Sequence, residues 1–124
     1  EYRLDDRIFL MGNTDSTKRE FLKSGCFLMP SRWEGMPMII LESLEMGVPV
    51  IAYDITAMEP LVTDGMEGFI VKKFDTNAYA EKMLEIAEND ELRYEFGRNA
   101  RIKARQFSKE IISEKWIELM EKHI

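Results

Sequence analysis

SRWEGMPMIILESLEMGVPVIAYD, residues Ser31 to Asp54, decides how this chain folds. Met38, Ile39, Ile40, Leu41 and Leu44 make its middle a mostly apolar helix. Pro37 suits the first turn of that helix, where a missing N–H costs nothing. Gly47, followed at once by Pro49, ends it. CFLMP (Cys26–Pro30) before it reads as a buried strand, and VPVIAY (Val48–Tyr53) after it as another. Strand, loop, helix and strand in this order predict two parallel strands joined by a right-handed crossover. Ligands of such sheets bind beyond the carboxyl ends of the strands. Glu34 stands in the loop at that end, and Glu42 follows on the helix eight positions later.

With the helix starting near Pro37, Glu42 sits about 7–8 Å along its axis. The unpaired N–H groups of the first turn suit a phosphate or pyrophosphate. A ligand with a pyrophosphate there would bring one end to each carboxylate. Carboxylates are acceptors only and form strong bonds with hydroxyl-rich groups. A nucleotide-sugar has this layout: sugar, diphosphate, ribose. The ordinary alternative is that Glu is a good helix former and, near a helix start, favours the macrodipole. Spacing alone leaves both readings open.

Outward from this unit, the pattern continues as an α/β alternation. A strand is expected at about Arg7–Met11, a helix at Thr17–Lys23 with Thr17 and Glu20 as a capping box, a turn or short helix near Met58–Val62, and a strand at Gly68–Lys72. The last half of the chain reads as helical. Ala78, Tyr79, Met83, Ile86 and Ala87 form one apolar stripe; Leu92, Phe96 and Ala100 start a second; Ile112, Trp116, Leu119 and Met120 give a third. All three are read as core contacts rather than a cofactor site.

At 124 residues the chain is long enough for one domain with a real core. Its net charge of −6, with no basic block, argues against nucleic acid as a main partner. The one cysteine, Cys26, falls in a predicted buried strand and is read as core packing, not a nucleophile. It implies a reducing compartment or indifference to redox. The one histidine, His123, offers no metal cluster, so no metal and no cofactor are expected. No signal peptide or apolar run of spanning length is seen. The chain opens at Glu1 without a methionine and reads as cut from a longer protein.

The run from Ser31 to Val71 closely resembles the C-terminal domain of family-4 glycosyltransferases of the two-domain GT-B type. Their signature is two glutamates with seven residues between them, in a pattern like PS-x-x-EG-x-P-x-x-x-x-E-A-x-x-x-G-x-PV. Pro30, Ser31, Glu34, Gly35, Pro37, Glu42, Gly47, Pro49 and Val50 occupy those places. Arg7–Asp15 resembles the preceding strand and its Gly-containing loop, Asp64–Val71 a later strand, and Phe107, Ser108 and Trp116 the closing helices. The chain departs from the pattern at Ile55–Pro60, where a Gly-rich loop is usual, which puts sugar or acceptor contacts there in doubt. Glu45 replaces a small residue and is read as a solvated charge. Gly25 stands where Asp is common.

The resemblance implies a Rossmann-like parallel sheet flanked by helices, with residues 1–124 as a truncated, partial C-terminal donor-binding domain. The N-terminal acceptor domain and the first strands of this domain would be absent. It implies a hexosyltransferase parent that passes a hexose from a nucleotide-sugar, with UDP as the family default, to a saccharide or lipid-linked acceptor in polysaccharide or glycoconjugate biosynthesis. Retention of configuration, a cytoplasmic location and peripheral membrane association follow as family expectations. Glu34 would touch the donor sugar at the reaction centre, and Glu42 the ribose hydroxyls. Backbone N–H groups of Gly35, Met36, Met38 and Ile39 would face the sugar and diphosphate. The family's diphosphate-binding Arg and Lys lie upstream, and Lys18, Arg19 and Arg32 do not match them. The chain by itself is therefore expected not to transfer sugar. Its first strand is expected to pair with the second in a four-stranded sheet, with dimerisation through an exposed edge as the competing outcome. The alternatives are a non-catalytic nucleotide-sugar-binding module and a GT-B-fold nucleotide-sugar epimerase.

Overall fold

The computed structural model describes residues 3–124; Glu1 and Tyr2, at the start of the expected domain span 1–124, lie outside them. Strand β2 (Val50–Tyr53) is the centre of the molecule, flanked by β1 (Phe27–Met29) and β3 (Gly68–Val71) in a parallel sheet of order β1-β2-β3. Phe27 pairs with Val50, and Val50 in turn with Gly68. Every residue of β2 is buried. Because side chains alternate across a strand, Val50 and Ala52 enter one core with Ile40, Leu44, Met58 and Leu61. Ile51 and Tyr53 enter the other with Phe69, Val71, Tyr79, Ile86 and Phe96. Burial on both faces is the reason this strand shows no polar alternation in sequence.

The helices are α1 (Thr17–Phe21), α2 (Met38–Glu45), α3 (Thr76–Glu88), α4 (Asp90–Arg105) and α5 (Lys109–Glu121), with a 3-10 turn at Thr56–Met58. Ser16, Asp75, Asn89 and Ser108 cap four of them, each side chain accepting from a first-turn N–H. The tail of α2 is fixed by chemistry that its sequence announces. Gly47 takes φ +72°, its N–H bonds Leu44 O at 2.9 Å, and Val48 N–H bonds Ser43 O at 3.0 Å. The buried Ser43 hydroxyl donates to Val48 O at 3.0 Å, so this end of the helix is tied twice. Helix α4 presses on the same point. A Cβ on Gly97 would stand 2.6 Å from Gly47 O, so only glycine allows this approach. On the other face Tyr79 donates its hydroxyl to Ile51 O at 2.6 Å, deep in the core.

Four expectations are corrected. Arg7–Met11 forms no strand: Ile8, Phe9, Leu10 and Met11 are exposed, and the sheet has three strands, not four. A strand exists only where it pairs, and among the described residues Arg7–Met11 does not dock on the open outer edge of β1. The cap of α1 is Ser16, whose oxygen accepts from Arg19 N–H, so Thr17 is the first helical residue and not half of a capping box. Pro37 stands one position earlier than expected, as the N-cap of α2 rather than in its first turn. The third stripe is not core: α5 buries none of its residues, and Trp116, Leu119 and Met120 are exposed because no other element covers that face among the described residues. Of the first two stripes, Tyr79, Ile86, Phe96 and Ala100 are buried, while Met83 and Ala87 are exposed.

Candidate functional site

The head of α2 contrasts with its tail. Pro37 has no side chain able to cap, no acidic residue stands in the first turn, and only Ile40 N–H finds an acceptor, at Pro37 O 3.0 Å away. The N–H groups of Gly35, Met36, Met38 and Ile39 donate to no protein acceptor among the described residues. Gly35, Met36 and Met38 are exposed. Unpaired donors and the positive end of the helix dipole thus point at solvent, a setting that favours an anion.

A carboxylate lies on each side of this turn. Glu34, half-buried, lines a cavity of about 760 Å³ at the carboxyl ends of the strands, together with Arg32, Trp33, Asp54, Thr56 and Glu59. The 3-10 turn, which stands where the family pattern has a Gly-rich loop, is a wall of that cavity. Beside it, Phe74 takes the left-handed φ of 71°, which is strained for a bulky residue. The Arg32 guanidinium lies 5.4 Å from the centre of the Phe74 ring, and Lys73 Nζ at the same distance. Arg32 is therefore a cation held against that ring at the cavity wall.

Glu42 is exposed and lines a second cavity, about 540 Å³, with Met38, Leu41, Glu45, Arg101 and Arg105. The two carboxylates thus do not share one pocket; the first turn of α2 lies between them. Glu42 does not hang free. The Thr17 hydroxyl, on α1, donates to its Oε2 at 2.5 Å. Sequence reading placed Thr17 in a helix cap and missed this contact. The two residues stand 25 positions apart, and no local pattern links them.

Two titratable groups with shifted behaviour, Cys26 and Tyr79, are structural. Burial pushes the Cys26 thiol up to about 12, which makes it a poor nucleophile near neutral pH. Burial likewise raises the Tyr79 hydroxyl, which stays neutral and free to donate to Ile51 O. Among the described residues, no three of His, Cys, Asp and Glu converge as a metal site, and no helix is long and apolar enough to cross a membrane.

The sequence and the fold match known proteins. The family model of glycosyl transferases, group 1, matches residues 1–103. A poly(ribitol-phosphate) alpha-N-acetylglucosaminyltransferase of Staphylococcus aureus is 30% identical over 118 residues, covering 94% of this chain and 24% of its own length. A poly(glycerol-phosphate) alpha-glucosyltransferase of Bacillus subtilis is 27% identical over 115 residues, which is 92% of this chain and 17% of that protein. Among solved structures, a variant of S. aureus TarM in complex with fondaparinux, alpha-GlcNAc-glycerol and UDP matches with a TM-score of 0.87 and 30% identity. That match covers 94% of this chain and 24% of TarM. The chain spans no more than a quarter of the length of these relatives.

Proposed function

This chain belongs to the glycosyl transferases group 1 family and shares the GT-B fold, and on that premise we propose that it is the nucleotide-sugar donor-binding part of a longer, retaining hexosyltransferase of family 4. The observation that carries the reading is the uncapped head of α2, whose four unpaired N–H groups stand between Glu34 and Glu42. The donor diphosphate accepts from those N–H groups. The sugar extends into the cavity of Glu34, where carboxylates and threonines suit hydroxyls. The ribose turns to Glu42. The donor is a UDP-sugar, a choice supported by the UDP bound to the TarM variant. The acceptor is a saccharide or lipid-linked polymer, in keeping with the poly(ribitol-phosphate) and poly(glycerol-phosphate) transferases among the relatives. Catalysis then rests on orientation and on stabilising charge at the leaving diphosphate. Glu34 serves as the contact to the sugar near the anomeric carbon. Closure against an acceptor domain excludes water.

An NMR titration of residues 1–124 with UDP, GDP and ADP tests this. The expected result is a set of amide shifts confined to Gly35–Glu42 for UDP. Glu42→Gln should weaken UDP binding by about 1.5–3 kcal/mol, the scale of a hydrogen bond to a charged group. Equal affinity of wild type and Glu42→Gln for UDP would refute the ribose assignment.

A further inference from the structure

We infer that Thr17 is a positioning residue for the donor: its hydroxyl holds the Glu42 carboxylate in the orientation that receives the ribose diol of a nucleoside diphosphate. This rests on the reading of Glu42 as the ribose-side carboxylate. Glu42 is exposed on α2, so without a tether its side chain would sample several rotamers, and a ligand would have to freeze them. Across the cavity it lines stand Arg101 and Arg105, yet among the described residues it forms no ion pair with either. It turns instead to a neutral hydroxyl on another helix, 2.5 Å away.

Thr17 is well suited to the task. It is β-branched, hence stiff about χ1. It opens α1, which Ser16 caps and whose buried Phe21 meets Phe27 of β1 edge to face at 5.3 Å. The hydroxyl has one proton, and it is committed to Oε2. An ionised carboxylate offers about four lone-pair sites, so Oε1 and the second site of Oε2 remain for the two O–H groups of a vicinal diol. A neutral donor also leaves the carboxylate its charge, which a salt bridge to Arg101 or Arg105 would have partly satisfied. Thr17 is thereby a specificity element for ribose over deoxyribose without touching the nucleotide itself.

The experiment compares the full chain with Thr17→Val, Thr17→Ser and Glu42→Gln, using calorimetric titration with UDP and with 2′,3′-dideoxy-UDP. Thr17→Val is expected to weaken UDP about tenfold, which is ~1.4 kcal/mol, and to leave the dideoxy analogue unchanged. Thr17→Ser, which keeps the hydroxyl, is expected to restore most of the affinity. Thr17→Val weakening both ligands equally would make the contact a structural tether only and overturn the inference. Thr17→Val binding UDP like wild type, while Glu42→Gln binds it more weakly, would overturn the role of Thr17 and leave Glu42 standing. Unchanged UDP affinity in Glu42→Gln, or no UDP binding by the wild-type chain at millimolar concentration, would remove the ribose reading and the inference together.

Discussion

Gly97→Ala reports on how α4 sets the position of the site-bearing helix. Gly97 lies mid-helix, where alanine is ordinarily better than glycine by roughly 0.5–1 kcal/mol. Here the added Cβ would stand 2.6 Å from Gly47 O, short by about 0.8 Å of the 3.4 Å at which ordinary contact begins. That oxygen belongs to the turn that ends α2, and the turn is tied through Leu44 O, Ser43 O and Val48 O, so it has little room to yield. Helix α4 must then retreat, and Ala100, one turn on and fully buried against the α2 core, moves with it. Overpacking of this kind costs about 1–3 kcal/mol. After the gain in helix propensity, the net loss should be about 1 kcal/mol, or about 3–5 °C in Tm for a domain of this size. Urea unfolding followed by circular dichroism measures it, with Gly35→Ala as the control, because nothing lies within 4 Å of a Cβ built there. The control should stay within about 0.5 kcal/mol of wild type. If Gly97→Ala unfolds at the wild-type midpoint or above it, with an unchanged slope, the claim that α4 is pressed against Gly47 is wrong.

Further outcomes follow from the buried Tyr79 hydroxyl and the half-buried Cys26 thiol. Tyr79→Phe removes the donor to Ile51 O and leaves that carbonyl without it in a dry core; a loss of about 1–2 kcal/mol in urea unfolding is expected. The Cys26 thiol ionises at about 12 in the fold, against 9.0 for an unperturbed cysteine. Above pH 9 the unfolded chain thus holds fewer protons than the native one, and stability falls as pH rises from 9 toward 12. Cys26→Ala should flatten that part of the pH–stability curve. A thiol reagent at pH 8 should modify native chain far more slowly than chain unfolded in urea, and equal rates would contradict the burial argument.

Elements that carry their own punctuation were legible in the sequence. Helix α2 and strand β2 could be read because Gly47 and Pro49 mark the boundary and because two-sided burial writes an unbroken apolar run. Arg7–Met11 has the composition of a strand, but a strand forms only by docking on a sheet edge, and composition does not say whether the segment docks on the open edge of β1. The stripe of α5 raises the same difficulty: periodicity shows a face that could be buried, not what buries it. At the candidate site, the spacing of Glu34 and Glu42 was visible in advance; the uncapped N-cap at Pro37 was not, because sequence reading placed that proline inside the first turn. The division of the two carboxylates between two cavities was not visible either, since it depends on how α1 and α4 dock beside α2. The Thr17–Glu42 hydrogen bond belongs to the same class of tertiary fact.

Mechanically, α2 is a cantilever. Its tail is clamped by Gly47, by the Ser43 hydroxyl and by the close approach of Gly97, while its head meets solvent with no side chain bound to it. Stiffness is therefore supplied by the clamped tail and by buried Ile40, while the backbone donors at the tip stay unpaired among the described residues. The donors at the head hold still without occupying one another, and a ligand can arrive without first displacing an internal partner. A fault introduced at the clamp would be felt at the tip as a change of angle, so residues that never touch a ligand can still set how well it is gripped.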